Sequence, residues 1–262
     1  MKTSVSKIIL IVALCLVGVG VAVFGIGVAL GGKPSFAVNY KDRSTATAES
    51  SFNESEADVS SFKNLKVDVS AADVTVAYGD DYGISYGFYD DQELKMETQD
   101  DTFVVTSKNE NGFFGVDFRW QESQYVKITV PEGAKLDTIF IHTSAGDIEL
   151  SEVSCKKLDA KSSAGNVTLT GNRIESGEIT SSAGDIQFTD LDTDDLEIHS
   201  SAGNAEGSLA QPLDSYNLDL KTSAGEITVD YKEQGNKYTT TADGKKTLKV
   251  KLSAGDVDLE GK

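Results

Sequence analysis

The chain has 262 residues and a formal net charge of −18, with 42 acidic against 24 basic side chains. A surface this acidic repels nucleic acid and anionic lipid headgroups, so we predict no nucleic-acid partner. It is compatible with cations, cationic peptides or a basic partner domain.

The chain begins with an apolar segment, because residues 8–32 contain no charged side chain. A helix of this length can cross a hydrocarbon core of about 30 Å, and the segment is too long for the apolar part of an ordinary signal peptide. Lysines precede it and mostly polar or acidic residues follow it, which favours a cytoplasmic N-terminus. We therefore predict a cytoplasmic segment at 1–7, a single transmembrane helix at 8–32 in the cell membrane, and an extracytoplasmic remainder. Cleavage after Ala29 or Gly31 is an alternative that the length of the segment disfavours.

Residues 33–60 are rich in Ser, Thr, Ala and Glu and have little apolar periodicity, which is typical of a flexible spacer. From 61 onwards, short runs such as 65–69 and 125–130 alternate apolar and polar residues. Alternation of this kind indicates strands, and helical periodicity is absent. We predict a spacer at 33–60 and an all-β domain at 61–262.

The first part of this domain, residues 61–135, is less regular than the rest, and we predict irregular capping strands there. Phe113, Phe114 and Trp120 follow an Asn-Gly turn and precede a series of repeats, where an open end must be covered. A capping hairpin is favoured. The alternative is an exposed aromatic patch, which makes these three residues candidates for binding a partner.

One motif occurs six times in the second part. Its copies are TSAGDIEL (143–150), SSAGNVTL (162–169), SSAGDIQF (181–188), SSAGNAEG (200–207), TSAGEITV (222–229) and LSAGDVDL (252–259). The spacing is constant over the first four copies and longer before each of the last two, and a degenerate seventh copy, SAADVTV, lies at 70–76. Apolar residues recur two apart before and after each turn, so each copy reads as strand, tight turn, strand.

The glycine of each SAG sequence can take a positive φ, and the following Asp, Asn or Glu can bond to neighbouring backbone N–H groups. We assign a structural role in the turns to Gly146, Gly165, Gly184, Gly203, Gly225 and Gly255. One coil of this length buries too few aliphatic side chains to be stable alone. Successive coils must therefore stack about 4.8 Å apart around a shared core. The pattern predicts a parallel β-solenoid over 136–262.

Two sets of acidic residues are weak candidates for binding Ca²⁺. Stacked carboxylates at the turns could bind a cation, but Asn alternates with the acids, which favours a ladder of turn-capping side chains. The stretch 190–195 begins like an EF-hand loop, but it lacks the required Gly and Glu, which favours a solvated acidic loop. The candidate ligands are Asp147, Asp185, Asp190, Asp192 and Asp194. We predict no cofactor.

The insertion between the fifth and sixth copies, residues 230–246, concentrates lysines in an otherwise acidic molecule. Insertions in solenoids often lie on one binding face. The candidates for contacting a partner are Lys232, Lys237, Lys245 and Lys246. An ordinary long loop or an extended hairpin is the alternative, and it is favoured.

No arrangement of residues is typical of a catalytic site. His142 and His199 share a register in the repeat but lie three coils apart, and six equivalent serines cannot all be one nucleophile. Cys155, expected in the loop after the first coil, reads as a partly buried apolar group rather than a reactive thiol. We predict a protein that is not an enzyme and has no small-molecule substrate.

The repeats and the stretch VKITVPEGAKLDTIFIHTSAGDIEL (126–150) resemble the LiaG-like candidate adhesins of the bacterial cell envelope, also called toastrack domains. The resemblance covers about residues 62–262. It implies a right-handed, β-helix-like ectodomain, often attached to one transmembrane helix and associated with envelope-stress systems. It implies no catalytic residues.

The sequence is compatible with three functions. The leading hypothesis is a non-enzymatic, membrane-anchored interaction module that contacts an envelope protein in stress sensing or scaffolding. The second is a surface adhesin that binds host or matrix polymers. The third is a polysaccharide-active β-helix enzyme, which is disfavoured because the acids are distributed by repeat rather than clustered in a groove.

Overall fold

The computed structural model describes residues 37–38, 45–46, 52–89, 93–108, 123–242 and 246–262. The chain divides into two compact units, one formed by Met1–Glu49 and Asn111–Glu122 and the other by Ser50–Glu110 and Ser123–Lys262. In the first unit, the described residues are β1 (Ala37–Val38) and β2 (Thr45–Ala46), which pair in antiparallel orientation.

Several predictions concern residues outside these ranges. The proposed transmembrane segment at 8–32 and the candidate residues Phe113, Phe114, Trp120 and Lys245 all lie outside the described residues. Within the described part of the chain, no helix has the length and apolar character needed to cross a membrane.

The second unit is built from strands, which confirms the all-β prediction. Its first part contains β3 (Phe52–Asp58), β4 (Asn64–Val69), β5 (Asp73–Gly79), β6 (Gly83–Tyr89), β7 (Glu93–Gln99), β8 (Thr102–Lys108) and β9 (Tyr125–Pro131). The repeat region continues with β10 (Lys135–Ala145), β11 (Ile148–Ser151), β12 (Ser154–Ala164), β13 (Val167–Thr170), β14 (Arg173–Ala183), β15 (Ile186–Ala202) and β16 (Ala205–Leu209). After a 3-10 helix at Leu213–Ser215 come β17 (Tyr216–Thr222), β18 (Ile227–Val229), β19 (Lys232–Glu233), β20 (Lys237–Thr239), β21 (Lys246–Leu252) and β22 (Val257–Glu260).

The strands on either side of the SAG turns form two parallel sheets, here called the pre-turn sheet and the post-turn sheet. In the pre-turn sheet, β10, β12 and β14 pair with a constant offset of one repeat, so that Ile141, Ala160 and Ile179 form one column. In the post-turn sheet, β11, β13 and the beginning of β15 pair in the same way. Each of these coils is therefore one rung that lies on the rung before it, as the repeat spacing predicts.

The solenoid extends further towards the N-terminus than the six copies of the motif. Strand β4 pairs in parallel with β10, and β5 pairs in parallel with β11, so the degenerate copy at 70–76 is a rung of the same stack. Strands β8 and β9 add a further rung on the other side of β4 and β5. Much of region 61–135, where we predicted irregular capping strands, is thus regular in its pairing.

The order of the rungs differs from the order of the chain at its C-terminal end. Strand β21 pairs in parallel with β15 on one side and with β17 on the other, and β22 likewise lies between β16 and β18. The prediction that successive copies stack in chain order is therefore wrong for the last two. In stacking order the described rungs are β8–β9, β4–β5, β10–β11, β12–β13, β14–β15, β15–β16, β21–β22 and β17–β18.

Antiparallel strands border both ends of the stack. At the N-terminal end, β6 pairs with β9, β3 pairs with β6, and β7 pairs with β8. At the C-terminal end, the insertion folds back so that β19 pairs with β18 and β20 pairs with β17. These strands occupy the edges of the terminal rungs, whose unpaired N–H and C=O groups would otherwise be open to pairing with another chain.

The interior between the two sheets is one continuous aliphatic core. Each rung contributes side chains two residues apart from both of its strands, and they are almost completely buried, as for Leu158, Ala160, Val167 and Leu169. A buried Leu, Ile or Val side chain stabilises the fold by about 1.5–3 kcal/mol relative to exposure. Because neighbouring rungs share these contacts, the stability belongs to the stack and not to any single coil.

At the SAG turns, the backbones of neighbouring rungs approach each other closely. Gly184 has a φ of 140°, and a Cβ atom at this position would collide with the carbonyl oxygen of Gly165 in the neighbouring rung. The backbone N–H of Gly184 also donates to the carbonyl of Ala202 on the other side. Only glycine fits a position that combines this backbone conformation with such a close approach.

Replacing Gly184 with alanine is expected to lower the free energy of unfolding by about 3–5 kcal/mol, since backbone strain and a steric clash both oppose the new Cβ. Gly133 supplies the control, because it also has a positive φ, of 76°, but no atom would lie within 4 Å of a Cβ at that position. Gly133→Ala should cost only about 1 kcal/mol. Urea denaturation followed by circular dichroism measures both, and equal costs would contradict the packing argument.

Candidate functional site

The acids and amides that follow the SAG glycines form a hydrogen-bonded ladder along the stack. The Asp147 carboxylate accepts from the backbone N–H of Asn166 at 2.7 Å, and the Asn166 side-chain oxygen accepts from the N–H of Asp185 at 2.9 Å. The same contact joins every neighbouring pair of rungs from Asp73 to Glu226. The structure thus contains the turn-capping ladder, which engages one oxygen of each of the candidate metal ligands Asp147 and Asp185.

The hydroxyl groups of the repeat divide into two sets. The first residue of the motif points inwards: Ser162 donates to the carbonyl of Gly146 at 3.3 Å, and Thr222 donates to the carbonyl of Gly255 at 2.8 Å. The second residue, such as Ser163 or Ser201, is exposed on the outside of the turn. The hydroxyls of Ser162 and Thr222 thus join neighbouring rungs, and the outer serines are available at the surface.

The acidic stretch 190–195 lies within β15 and does not form the solvated loop that we predicted. Asp190 has a φ of 51° and marks the bend between the two sheets. Beyond it the stretch alternates, with Leu191 and Thr193 buried and with Asp192 and Asp194 partly exposed on the other side. Asp192 and Asp194 therefore lie on the outer side of the same rung.

Lys246, one of the candidates for contacting a partner, forms ion pairs with two of these acids. Its Nζ lies 2.7 Å from Asp192 Oδ1 and 3.0 Å from Asp194 Oδ1. Arg173 joins the cluster from the previous rung, with distances of 3.2 Å to Asp192 and 2.5 Å to Asp194. Two cations and two carboxylates thus neutralise one another, and the hydrogen bonds from Arg173 and Lys246 lower the pKa of the Asp194 carboxyl.

Other lysines of the last repeat reach the same strand. Lys251 pairs with Glu197 at 2.7 Å, and Lys262 pairs with Asp190 at 2.9 Å. The basic segment that contains β21 and the acidic segment of β15 are therefore partners of each other. Sequence reasoning treated the acids and the lysines as separate sites, and it missed the roles of Arg173 and Glu197.

The hypothesis of a Ca²⁺ site finds no suitable cluster of ligands among the described residues. In the described part of the chain, no three side chains of the His, Cys, Asp and Glu types lie close enough together to hold an ion.

Lys232 and Lys237 are exposed on the edge strands β19 and β20. They lie on the backbone edges of the terminal rung, which places the insertion at one end of the stack.

A row of cationic and neutral side chains runs along the outside of the pre-turn sheet. We call the register column His142, Lys161, Thr180, His199, Lys251 and Lys221 the cation row. It contains no acid over six rungs of a molecule that has 42 acidic against 24 basic residues. The column two residues earlier is mostly acidic and pairs with it, for example His199 with Glu197 at 3.1 Å and Lys221 with Asp219 at 2.8 Å.

A shallow groove of about 390 Å³ lies between the cation row and the outer serines of the turns. It extends over four rungs, and its walls are formed by Thr180, His199, Lys221, Lys251, Ser201, Ser223 and Ser253. Three rung spacings of about 4.8 Å give it a length of about 14 Å along the stack. The groove offers hydroxyl and cationic donors to an extended molecule, and no carboxylate lines it.

Cys155 lies in β12 and not in the loop where we expected it, with an exposed fraction of 4%. Burial raises the pKa of its thiol to about 12, and the nearby Glu175 acts in the same direction. A thiol in this setting stays protonated at neutral pH and packs as an apolar group.

Comparison with known proteins shows which folds the chain resembles. The Toastrack DUF4097 family matches residues 62–208 and again 192–260. A candidate cell adhesion protein from Clostridium sporogenes aligns with a TM-score of 0.52 at 12% identity, covering 82% of this chain and 100% of that one. This likeness shows a common fold. No curated protein gives a significant match.

Two further solved structures align less closely. A candidate adhesin from Bacteroides fragilis gives a TM-score of 0.45 at 13% identity, covering 81% of this chain and 97% of that one. One from Parabacteroides distasonis gives 0.37 at 12% identity, with coverages of 82% and 98%.

The cluster around Asp194 predicts a pH-dependent contribution to stability. Because the pKa of the folded carboxyl is lowered, its stabilisation is present at neutral pH and is lost as the pH falls below about 4. Asp194→Asn should therefore cost about 1 kcal/mol at pH 7 and progressively less in acid. Denaturation at several pH values tests this, with Asp195→Asn, an exposed neighbour, as the control. A cost that is independent of pH would contradict the assignment.

The buried thiol predicts that Cys155 reports on unfolding. In a Cys15→Ser background, the folded protein should resist a thiol reagent such as DTNB at pH 8, since its thiolate is both scarce and shielded. Denaturant should make the thiol fully reactive. Rapid labelling without denaturant would show that β12 is open to solvent.

Proposed function

The chain belongs to the Toastrack DUF4097 family, and from that premise we propose that it is a non-enzymatic interaction module on the outside of the cell membrane. Family membership agrees with the resemblance drawn from the repeats. The proposal includes a transmembrane helix at 8–32, a cytoplasmic N-terminus and a right-handed solenoid. The uncharged sequence of that segment and its preceding lysines support the anchor and its orientation.

The observation that carries the proposal is the cation row with its groove. Side chains on a stacked rung are held at fixed spacing by two neighbouring rungs, so the row is a rigid surface. A periodic surface with donors along about 14 Å suits an extended partner better than a small molecule, which needs a concave and mostly apolar pocket. The groove is shallow, and all of its lining residues except Leu252 carry a hydroxyl, imidazole or ammonium group.

The favoured partner is another envelope protein that presents an acidic or hydroxyl-rich extended segment to this row. Cationic side chains at the rim of an interface steer such partners and select among them. On this proposal the module acts in stress sensing or scaffolding, with the membrane segment holding it beside its partner. On this proposal the module binds its partner and does not catalyse a reaction.

The alternative is an adhesin that binds a host or matrix polymer. The solved structure from Clostridium sporogenes, which shares the fold, is named as a candidate cell adhesion protein. The direction of the groove also favours a linear ligand, since it follows the stack axis across several rungs. The two functions use the same surface and differ in the nature of the ligand.

Site-specific photo-cross-linking in intact cells distinguishes these functions. A photoreactive residue at Thr180, in the cation row, should give a discrete adduct with an envelope protein. The same residue at Thr168, on the outer side of the post-turn sheet, is the control and should give none. A heterogeneous adduct that polysaccharide-degrading enzymes remove would favour the adhesin. Absence of any adduct at Thr180 would contradict both.

Charge reversal provides the matching test of the row itself. Lys161→Glu with Lys221→Glu should weaken binding of the partner identified by cross-linking about tenfold, which corresponds to about 1.4 kcal/mol. Lys127→Glu with Lys135→Glu changes the same net charge at exposed positions outside the row and should leave binding nearly unchanged. Equal losses in both variants would show that overall charge, and not the row, governs binding.

A further inference from the structure

The last repeat occupies a position between two rungs that precede it in the chain. We call β21 and β22, with the turn between them, the inserted rung; it is flanked by β15–β16 on one side and by β17–β18 on the other. The interval before the fifth copy, from Ser201 to Ser223, is longer than those between earlier copies, which fits this arrangement. This interval contains Pro212 and the 3-10 helix, and it carries the chain past the rung position that β21 and β22 occupy.

The aliphatic core does not by itself require this order. Leu248 lies opposite Leu196 on one side and Leu218 on the other, and Val250 lies opposite Ile198 and Leu220. Strand β17 therefore has the same register as the inserted strand and could pair directly with β15, leucine beside leucine. The SAG turns would also coincide. Two stacking orders thus satisfy the hydrophobic pattern.

The charges on the outside of the pre-turn sheet distinguish the two orders. In the observed order, Lys249 lies between Glu197 on β15 and Asp219 on β17. In the alternative order, Glu197 and Asp219 would be direct neighbours, and like charges in that position repel. Lys246 and Lys251 add ion pairs with acids of β15 at 2.7 Å each. Strand β21 thus places lysines between acids of β15 and β17.

We propose that the lysines of β21 place the inserted rung between the acid-bearing strands β15 and β17, and that without these lysines β17 and β18 stack directly on β15 and β16. The domain then has two stacking orders that share one core pattern. The position of the last repeat is set by electrostatics, and the conformational change between the orders moves whole rungs without changing their register.

Disulfide trapping in the full chain tests this order. Neighbouring rungs place equivalent Cα atoms about 4.8 Å apart, within the range of a disulfide, whereas rungs two apart lie about 9.6 Å away. Ser201 and Ser253 are neighbours in the observed order, since their turns exchange backbone hydrogen bonds. Ser201 and Ser223 become neighbours only in the alternative order. Both cysteine pairs are built with Cys15→Ser and oxidised under native conditions.

The parent protein should form the 201–253 cross-link and not the 201–223 cross-link. With Lys249→Glu and Lys251→Glu, the 201–253 cross-link should be lost and the 201–223 cross-link should appear. Lys157→Glu with Lys161→Glu, which changes the same net charge on β12, should behave as the parent does. Adding Glu197→Lys and Asp219→Lys to the first pair restores alternating charge and should restore the parent's pattern.

Two results would overturn the proposal. Persistence of the 201–253 cross-link in the Lys249→Glu and Lys251→Glu variant would show that charge does not place the rung. Loss of both cross-links would show that β17 and β18 cannot stack on β15 and β16. Circular dichroism of each variant reports in parallel whether the strand content is retained.

Discussion

The fold depends on the contact between successive SAG turns. At this corner the backbone of one rung lies so close to the next that a side chain at Gly184 would collide with the carbonyl oxygen of Gly165. The tight turn interrupts the regular ladder of the sheet, and the side-chain oxygen of the residue after the glycine supplies an acceptor to the next rung. Both requirements recur in the six rungs that carry the motif, which explains why it is repeated in the sequence with so little variation.

Charge adds the information that the repeated core lacks. Aliphatic columns are nearly equivalent from rung to rung, so they define the register of a strand but not which strand it pairs with. The acids of β15 and the lysines of β21 differ from the rest of the repeats, and they meet in the structure at Asp192, Asp194 and Glu197. Complementary charges on neighbouring strands contribute less energy than core burial does, yet they discriminate among arrangements that bury the same surface.

The sequence was sufficient to predict the all-β fold, the turns and the parallel stack, because glycine geometry and apolar alternation are local properties. It was not sufficient to predict the order of the last two rungs, since Leu218 and Leu248 satisfy the same column. The longer intervals before the fifth and sixth copies indicated a change in the stacking. Interval length alone, however, does not tell which rung the chain joins next. The site was predicted less well. The lysine of the insertion and the acids near residue 192 were each recognised, but their mutual contact depends on a pairing between distant segments.

The same geometry favours binding over catalysis. An active site needs unlike groups brought together at one point, whereas a solenoid places like groups side by side in rows about 4.8 Å apart. Along the cation row the acids are held in the adjacent column, where they pair with the cations instead of facing a substrate. A surface of this kind gains affinity by repeating a modest contact along an extended ligand. The groove combines exposed serine hydroxyls with cationic side chains that also pair with acids of the adjacent column. A partner that lies along the stack can therefore contact several rungs at once.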